Sequence, residues 1–138
     1  MIEKEILQAL QTATISAVAA STVPTLPVKF AGRVMPDNAG NWLELVYLPN
    51  NITAEFWDDG KTYRGVFRLI LHWSVDDRGS YEPLSLIASI CQHFPVGTVF
   101  QNGSVQVKIT AEPDLSSVIE ATPSQLFPVS IRYQTFRS

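Results

Sequence analysis

The sequence has 138 residues, 46% of them hydrophobic and only 17% charged, which is enough apolar material for one core and too little charge for a disordered chain. Ten Lys plus Arg against thirteen Asp plus Glu leave a net charge of -3, so sequence-specific nucleic-acid binding is not expected. One cysteine cannot form an internal disulfide and, with two histidines, is a thin supply of metal ligands, which argues against a structural zinc site and against a cofactor.

Domains most often span about 100 to 150 residues, so a single domain over residues 1–138 is expected. No stretch approaches the roughly 20 apolar residues of a membrane span. The start Met-Ile-Glu-Lys-Glu is acidic where a signal peptide would be basic. The expectation is a soluble protein folded in a reducing cytosol, with no membrane partner.

From Ile2 to Ala20, apolar Ile2, Ile6, Leu10, Ala13 and Ala17 recur every three or four residues, which predicts a helix with one buried face. Glu3 and Glu5 suit its positive end, and Ser21, Thr22 and Pro24 close it. Gln8, Gln11 and Thr12 belong to the wet face. Pro24 and Pro27 then hold the chain extended into a short strand, Val28-Lys29-Phe30. After a loop of turn formers, Trp42 to Leu48 alternates with both faces largely apolar, which predicts a strand covered by a helix on one side and by another sheet or subunit on the other. Pro49-Asn50-Asn51 interrupts before a second apolar piece, Ile52 to Trp57.

The clearest period of two runs from Tyr63 to Val75, with Phe67, Leu69, Leu71 and Trp73 on one face and Val66, Arg68, Ile70 and His72 on the other. A second helix starts at Ser80 or Tyr81 with Pro83 in its first turn; Leu84, Ile87, Ala88 and Cys91 form its expected buried stripe. Asn102-Gly103 predicts a two-residue hairpin turn, with Val105, Val107 and Ile109 facing inward after it. An acidic, Ser-rich connection leads to a last strand, Pro128 to Gln134. This order predicts an α+β fold: a mostly antiparallel sheet with two helices packed on one face.

Candidates for chemistry are sparse. Cys91 and His93 point to different sides of a helix, and Cys91 reads as a small core residue. His72 on the more polar strand face, beside the Asp76-Asp77 loop, is the one place where a small ligand-binding module or hydrolase would be built. Asp58-Asp59 and Asp76-Asp77 each precede a glycine-containing turn, where Asp is common for local backbone bonding. No residue is assigned a catalytic, cofactor or metal role. The aromatic residues are less ordinary: Phe56 and Trp57 sit beside a turn, where packing against another subunit competes with burial in the core.

Taken in order, several segments resemble the tail terminator (tail completion) proteins of long-tailed bacteriophages, in the lambda-like group of minor tail proteins. These are the N-terminal helix; Pro27-Val28-Lys29-Phe30; Trp42-Leu43-Glu44-Leu45; Tyr63-Arg64-Gly65-Val66-Phe67; the helix ending in Phe94-Pro95-Val96-Gly97-Thr98; and Phe127-Pro128-Val129-Ser130-Ile131-Arg132-Tyr133. The resemblance covers nearly the whole chain, and order and spacing carry it. It implies a structural, non-enzymatic virion protein that forms a hexameric ring at the head-proximal end of the tail tube, ends tube polymerisation and offers the surface to which the head docks. The implied partners are further copies of the chain, the major tail tube protein and head-tail connector or neck proteins. The implied locations are the host cytoplasm during assembly and then the virion tail. Another neck, head-tail joining or tube component remains open within the same class. On physical grounds Phe56, Trp57, Arg64, Arg68 and Arg132 are the expected interface residues, because each interrupts or flanks an apolar strand with a group suited to a partner.

Overall fold

Alternating apolar residues over three long stretches give the chain its frame, and a computed structural model describes residues 3–30, 41–54, 61–74, 81–103, 105–121 and 124–137. The elements are α1 (Glu3–Ala19), β1 (Val28–Lys29), β2 (Trp42–Ala54), β3 (Lys61–Ser74), α2 (Tyr81–Cys91), β4 (Val99–Asn102), β5 (Val105–Ile109), β6 (Asp114–Leu115), β7 (Ile119–Ala121) and β8 (Ser124–Arg137). The strands form one eight-stranded sheet in the order β1-β2-β3-β8-β5-β4, with β6 and β7 also paired to β8. All described pairings are antiparallel except β1 with β2. The expected α+β class, with both helices on one face, is what the chain adopts.

β8 is the axis of the sheet. One edge pairs with β3 from Ser124 to Thr135. Its other edge is shared by β7, β6 and β5 in succession. A proline inside such a strand lacks a ladder donor, yet Pro128 is accommodated because its backbone edge faces the β6–β7 connection. The Pro128 carbonyl accepts a bond from the Ser116 N–H at 2.9 Å, so the missing donor lies on that side and not toward β3.

The inner face of the sheet carries Leu43 and Leu45 of β2, Phe67, Leu69, Leu71 and Trp73 of β3, Val105, Val107 and Ile109 of β5, and Phe127, Val129, Ile131 and Tyr133 of β8. These residues form one buried cluster with Ile6, Leu10, Ala13, Ala17 and Val18 of α1 and Leu86, Ile87 and Ile90 of α2. A chain of ring contacts crosses it, from Phe100 through Phe94 and Phe67 to Tyr133 and Tyr47, with centroids 5.5 to 6.3 Å apart. The alanines of α1 let its backbone approach the sheet. At its end, Ser21 donates from Oγ to the Val18 carbonyl at 2.6 Å and accepts from the Val23 N–H at 3.3 Å.

The structure departs from the sequence expectation in several places. β2 runs on through Pro49, absorbing Asn50 and Asn51 as a register shift between Pro49 and Ile52. Beyond Glu44, β1 no longer covers the outer edge of β2, so the missing proline donor disrupts no ladder there. The buried stripe of α2 is Pro83, Leu86, Ile87 and Ile90; Leu84 and Ala88 are exposed. Glu82, Ser85 and Ser89 mark a polar side, but the apolar arc opposite is wide enough for two phases, and burying the bulkier Leu86 and Ile90 decides between them. The hairpin turn lies one residue later than expected, since Asn102 still pairs with Val105 and Gly103 takes φ 62°. Asn102 is thereby free to donate to the Glu5 carbonyl at 3.0 Å, tying β4 to α1. The acidic connection contains two short strands, β6 and β7, and β8 is longer than the expected strand at both ends.

Phe67 contacts both Phe94 and Tyr133 and has no exposed surface. Replacing it by alanine should cost about 3–5 kcal/mol in urea unfolding, because the surrounding strands cannot close the cavity.

Candidate functional site

Side chains directly opposite on neighbouring strands share a face, so the register lays out the surface that the helices leave uncovered. Its first row is Trp42, His72, Leu126 and Ile119; the second is Glu44, Ile70 and Pro128. The third is Val46, Arg68, Ser130 and Asp114, and the fourth brings Val66 beside Arg132. The fifth is Arg64, Gln134, Lys108 and Val99. No helix packs on this outer face among the described residues: both join the cluster on the other side. Trp42, Val46, Val66, Ile70 and Leu126 are half-buried, while Ile119 and Val99 are about half exposed, at 51% and 49%.

At one end of this face the polar groups are tied together. The Trp42 and His72 rings stack with centroids 3.7 Å apart and planes 6° from parallel. His72 Nε2 lies 3.3 Å from Glu44 Oε1, and Lys29 Nζ lies 3.5 Å from Glu44 Oε2 and 5.8 Å from the centre of the Trp42 ring. Glu44 therefore bridges β1 and β3. The pairing partners of His72 come from other strands and could not be found by local spacing; the alternation placing Trp42 and Glu44 on one face was the available signal.

Arg64 and Arg68 of β3 and Arg132 of β8, separated in the sequence, come together on this face. Arg68 is half-buried and donates from Nε to Ser130 Oγ at 3.4 Å. Arg64 and Arg132 are exposed and border a depression of about 300 Å³ with Val66, Thr110 and Gln134. Lys108, which the sequence reading did not select, completes the group. Phe56, Trp57, Asp58, Asp59, Asp76 and Asp77 lie outside the described residues.

The remaining candidates are set apart from this surface. His93 borders a groove of about 760 Å³ between α1 and β4, floored by Ala9, Ala13, Phe30 and Phe100. Burial pushes the Cys91 thiol up from 9.0 to about 11, so it is protonated at neutral pH and a poor nucleophile or metal ligand. Among the described residues there is no group of three or more His, Cys, Asp and Glu side chains placed to hold a metal ion. No described helix is long and apolar enough to cross a membrane.

The profile of the family described as phage tail terminator protein matches residues 5–133. The chain belongs to the phage tail terminator family. It is accordingly a structural component of a virion tail. A solved structure superposes with a TM-score of 0.80 at 26% identity, covering 98% of this chain and 96% of that one. A second, from the virion of a native gene transfer agent (GTA) particle, superposes with a TM-score of 0.59 at 15% identity over 94% of this chain and 96% of that one, which shows a shared fold. Nothing among curated proteins matches. The resemblance read from strand order thus identifies the terminator family correctly.

The raised Cys91 pKa has a consequence for stability. Between pH 9 and 11 the unfolded chain loses a thiol proton that the native protein retains, so this group's contribution favours folding less and less as pH rises through that window. Urea midpoints measured from pH 7 to 11 should therefore fall more steeply for the wild type than for Cys91→Ala.

Proposed function

We propose that the chain closes into a ring, six copies in the expected form, on the head-proximal end of the completed tail tube, where it ends polymerisation and offers a docking surface for the head. The observation that supports this most is the one-sided fold. α1 and α2 bury one face of the sheet, and the other face carries half-buried Trp42, Val46, Val66, Ile70 and Leu126 interleaved with Arg64, Arg68 and Arg132. A ring built by rotation needs two different patches on each subunit, one meeting the other on the next copy. Among the described residues the β4 edge and the Trp42 end of the outer sheet face can serve as two such patches, which leaves the Arg64 and Arg132 end for a different chain.

In this reading the chain works by shape and self-recognition and catalyses no reaction. Its partners are further copies of itself, the tail tube protein and head-tail connector proteins, met first in the host cytoplasm and then in the virion. Phe56 and Trp57, between β2 and β3 in the sequence, contact the neighbouring subunit; Arg64, Arg68 and Arg132 face the partner surface. The alternative of a hydrolase built on His72 and the Asp76-Asp77 loop draws no support from the described residues, where His72 stacks on Trp42 and joins Glu44 and Lys29 in a cluster that links three strands.

Mixing the purified protein with short tail tubes and imaging them by negative-stain electron microscopy tests the proposal. Capped tubes that no longer elongate on addition of tube subunits are expected, and capping should disappear in a Phe56→Ser, Trp57→Ser double variant whose melting temperature is unchanged. Tubes that keep growing with wild-type protein present would overturn it.

A further inference from the structure

We infer that the corner of the outer face formed by Arg64, Arg132 and Lys108 binds carboxylates presented by an acidic, partly apolar protein surface of a different chain. The inference rests on the assembly role proposed above for where such a surface is met, but its chemistry stands on the charges themselves. The chain is acidic overall, with a net charge of -3, yet Lys29, Arg64, Arg68, Lys108 and Arg132 all lie on one face of the sheet. That is half of its ten basic residues on one surface. Among the described residues the acids on this face are few. Glu44 is already shared by Lys29 and His72, and Asp114 lies in the row of Ser130, to which Arg68 donates. Among the described residues no salt bridge involves Arg64, Arg132 or Lys108.

The register explains how these three converge. Arg64 and Lys108 flank Gln134 in one row, from β3 and β5, while Arg132 stands on β8 one row along, diagonal to both. Arg64 and Arg132 border the depression that Val66, Thr110 and Gln134 also line, and Lys108 stands beside Gln134 in the adjoining row. Two guanidinium forks beside an ammonium group present donors only, an arrangement matched to bidentate carboxylate recognition.

Three observations select the occupant. The cations alternate with half-buried Val46, Val66 and Ile70, which a nucleic-acid backbone would leave wet and a protein surface would cover. Isologous packing of this face on itself would set arginine against arginine, so a second copy does not meet it face to face. The overall negative charge supplies no long-range attraction for DNA.

The intact protein, titrated in separate arms with a short peptide of alternating Glu and Val and with duplex DNA, tests this by NMR. The peptide should shift the backbone amides of residues 64–66 and 132–134, and an Arg64→Glu, Arg132→Glu variant should bind it about tenfold more weakly, the loss of two partly exposed ion pairs. Peptide-induced shifts confined elsewhere, or tighter binding of DNA at the same amides, would overturn the inference. An Arg64→Gln, Arg132→Gln variant checks that the loss follows from missing charge and not from an unfavourable new one, and unchanged peptide affinity in it would also count against the inference. If the wild type fails to cap tail tubes, the assembly reading falls while the peptide titration still decides this one. If the Glu variant forms rings by light scattering but does not cap tubes, the corner is the contact with the tube.

Discussion

The arrangement depends on a single constraint: β8 must be paired along both edges while burying only one face. β3 satisfies one edge over twelve consecutive residue pairs, and three short strands divide the other. This leaves the odd-numbered side chains Phe127, Val129, Ile131, Tyr133 and Thr135 under the helices and turns Leu126, Pro128, Ser130, Arg132 and Gln134 the other way. A one-residue slip would exchange the two sets and place Arg132 in the core. The register that makes the core therefore also makes the outer surface, and neither can vary alone.

That coupling gives the outer face its character. Its apolar residues are half-buried by their neighbours on the sheet, and its charged groups fall into two environments. Around Trp42 the charges are internally satisfied, with Glu44 holding Lys29 and His72; such partly exposed pairs contribute little stability but hold the rings and the short parallel strand β1 in place. At the opposite end Arg64, Arg132 and Lys108 make no salt bridge among the described residues. A protein with only 17% charged residues thus gathers Arg64, Arg132 and Lys108 at one corner of its outer sheet face, with no ion pair to them among the described residues.

Much of the fold was legible because period two persists over long runs. Phe67, Leu69, Leu71 and Trp73 define the inner face of β3 unambiguously, and the segments from Pro27 to Tyr133, in their order and spacing, carry the resemblance to the family whose profile matches residues 5–133. What escaped had physical reasons. β6 and β7 are too short to show alternation and exist because β8 offers them an edge. The wide apolar arc of α2 admits two phases by spacing alone, and the hairpin turn sits one residue later than Asn102-Gly103 suggests, with Asn102 still paired in β4 and donating to the Glu5 carbonyl on α1. The surface was legible in part: Arg64, Arg68 and Arg132 stand out as charges within apolar strands, whereas Lys108 and the Glu44 cluster emerge only when the strands are placed side by side.

The central claim is that the uncovered sheet face is an assembly surface. Hydroxyl-radical footprinting of the protein, free and bound to tail tubes, measures this side chain by side chain. The account predicts that Trp42, Val66 and Ile70 are labelled in the free protein and protected on assembly. Equal labelling of Trp42, Val66 and Ile70 in both states would contradict it.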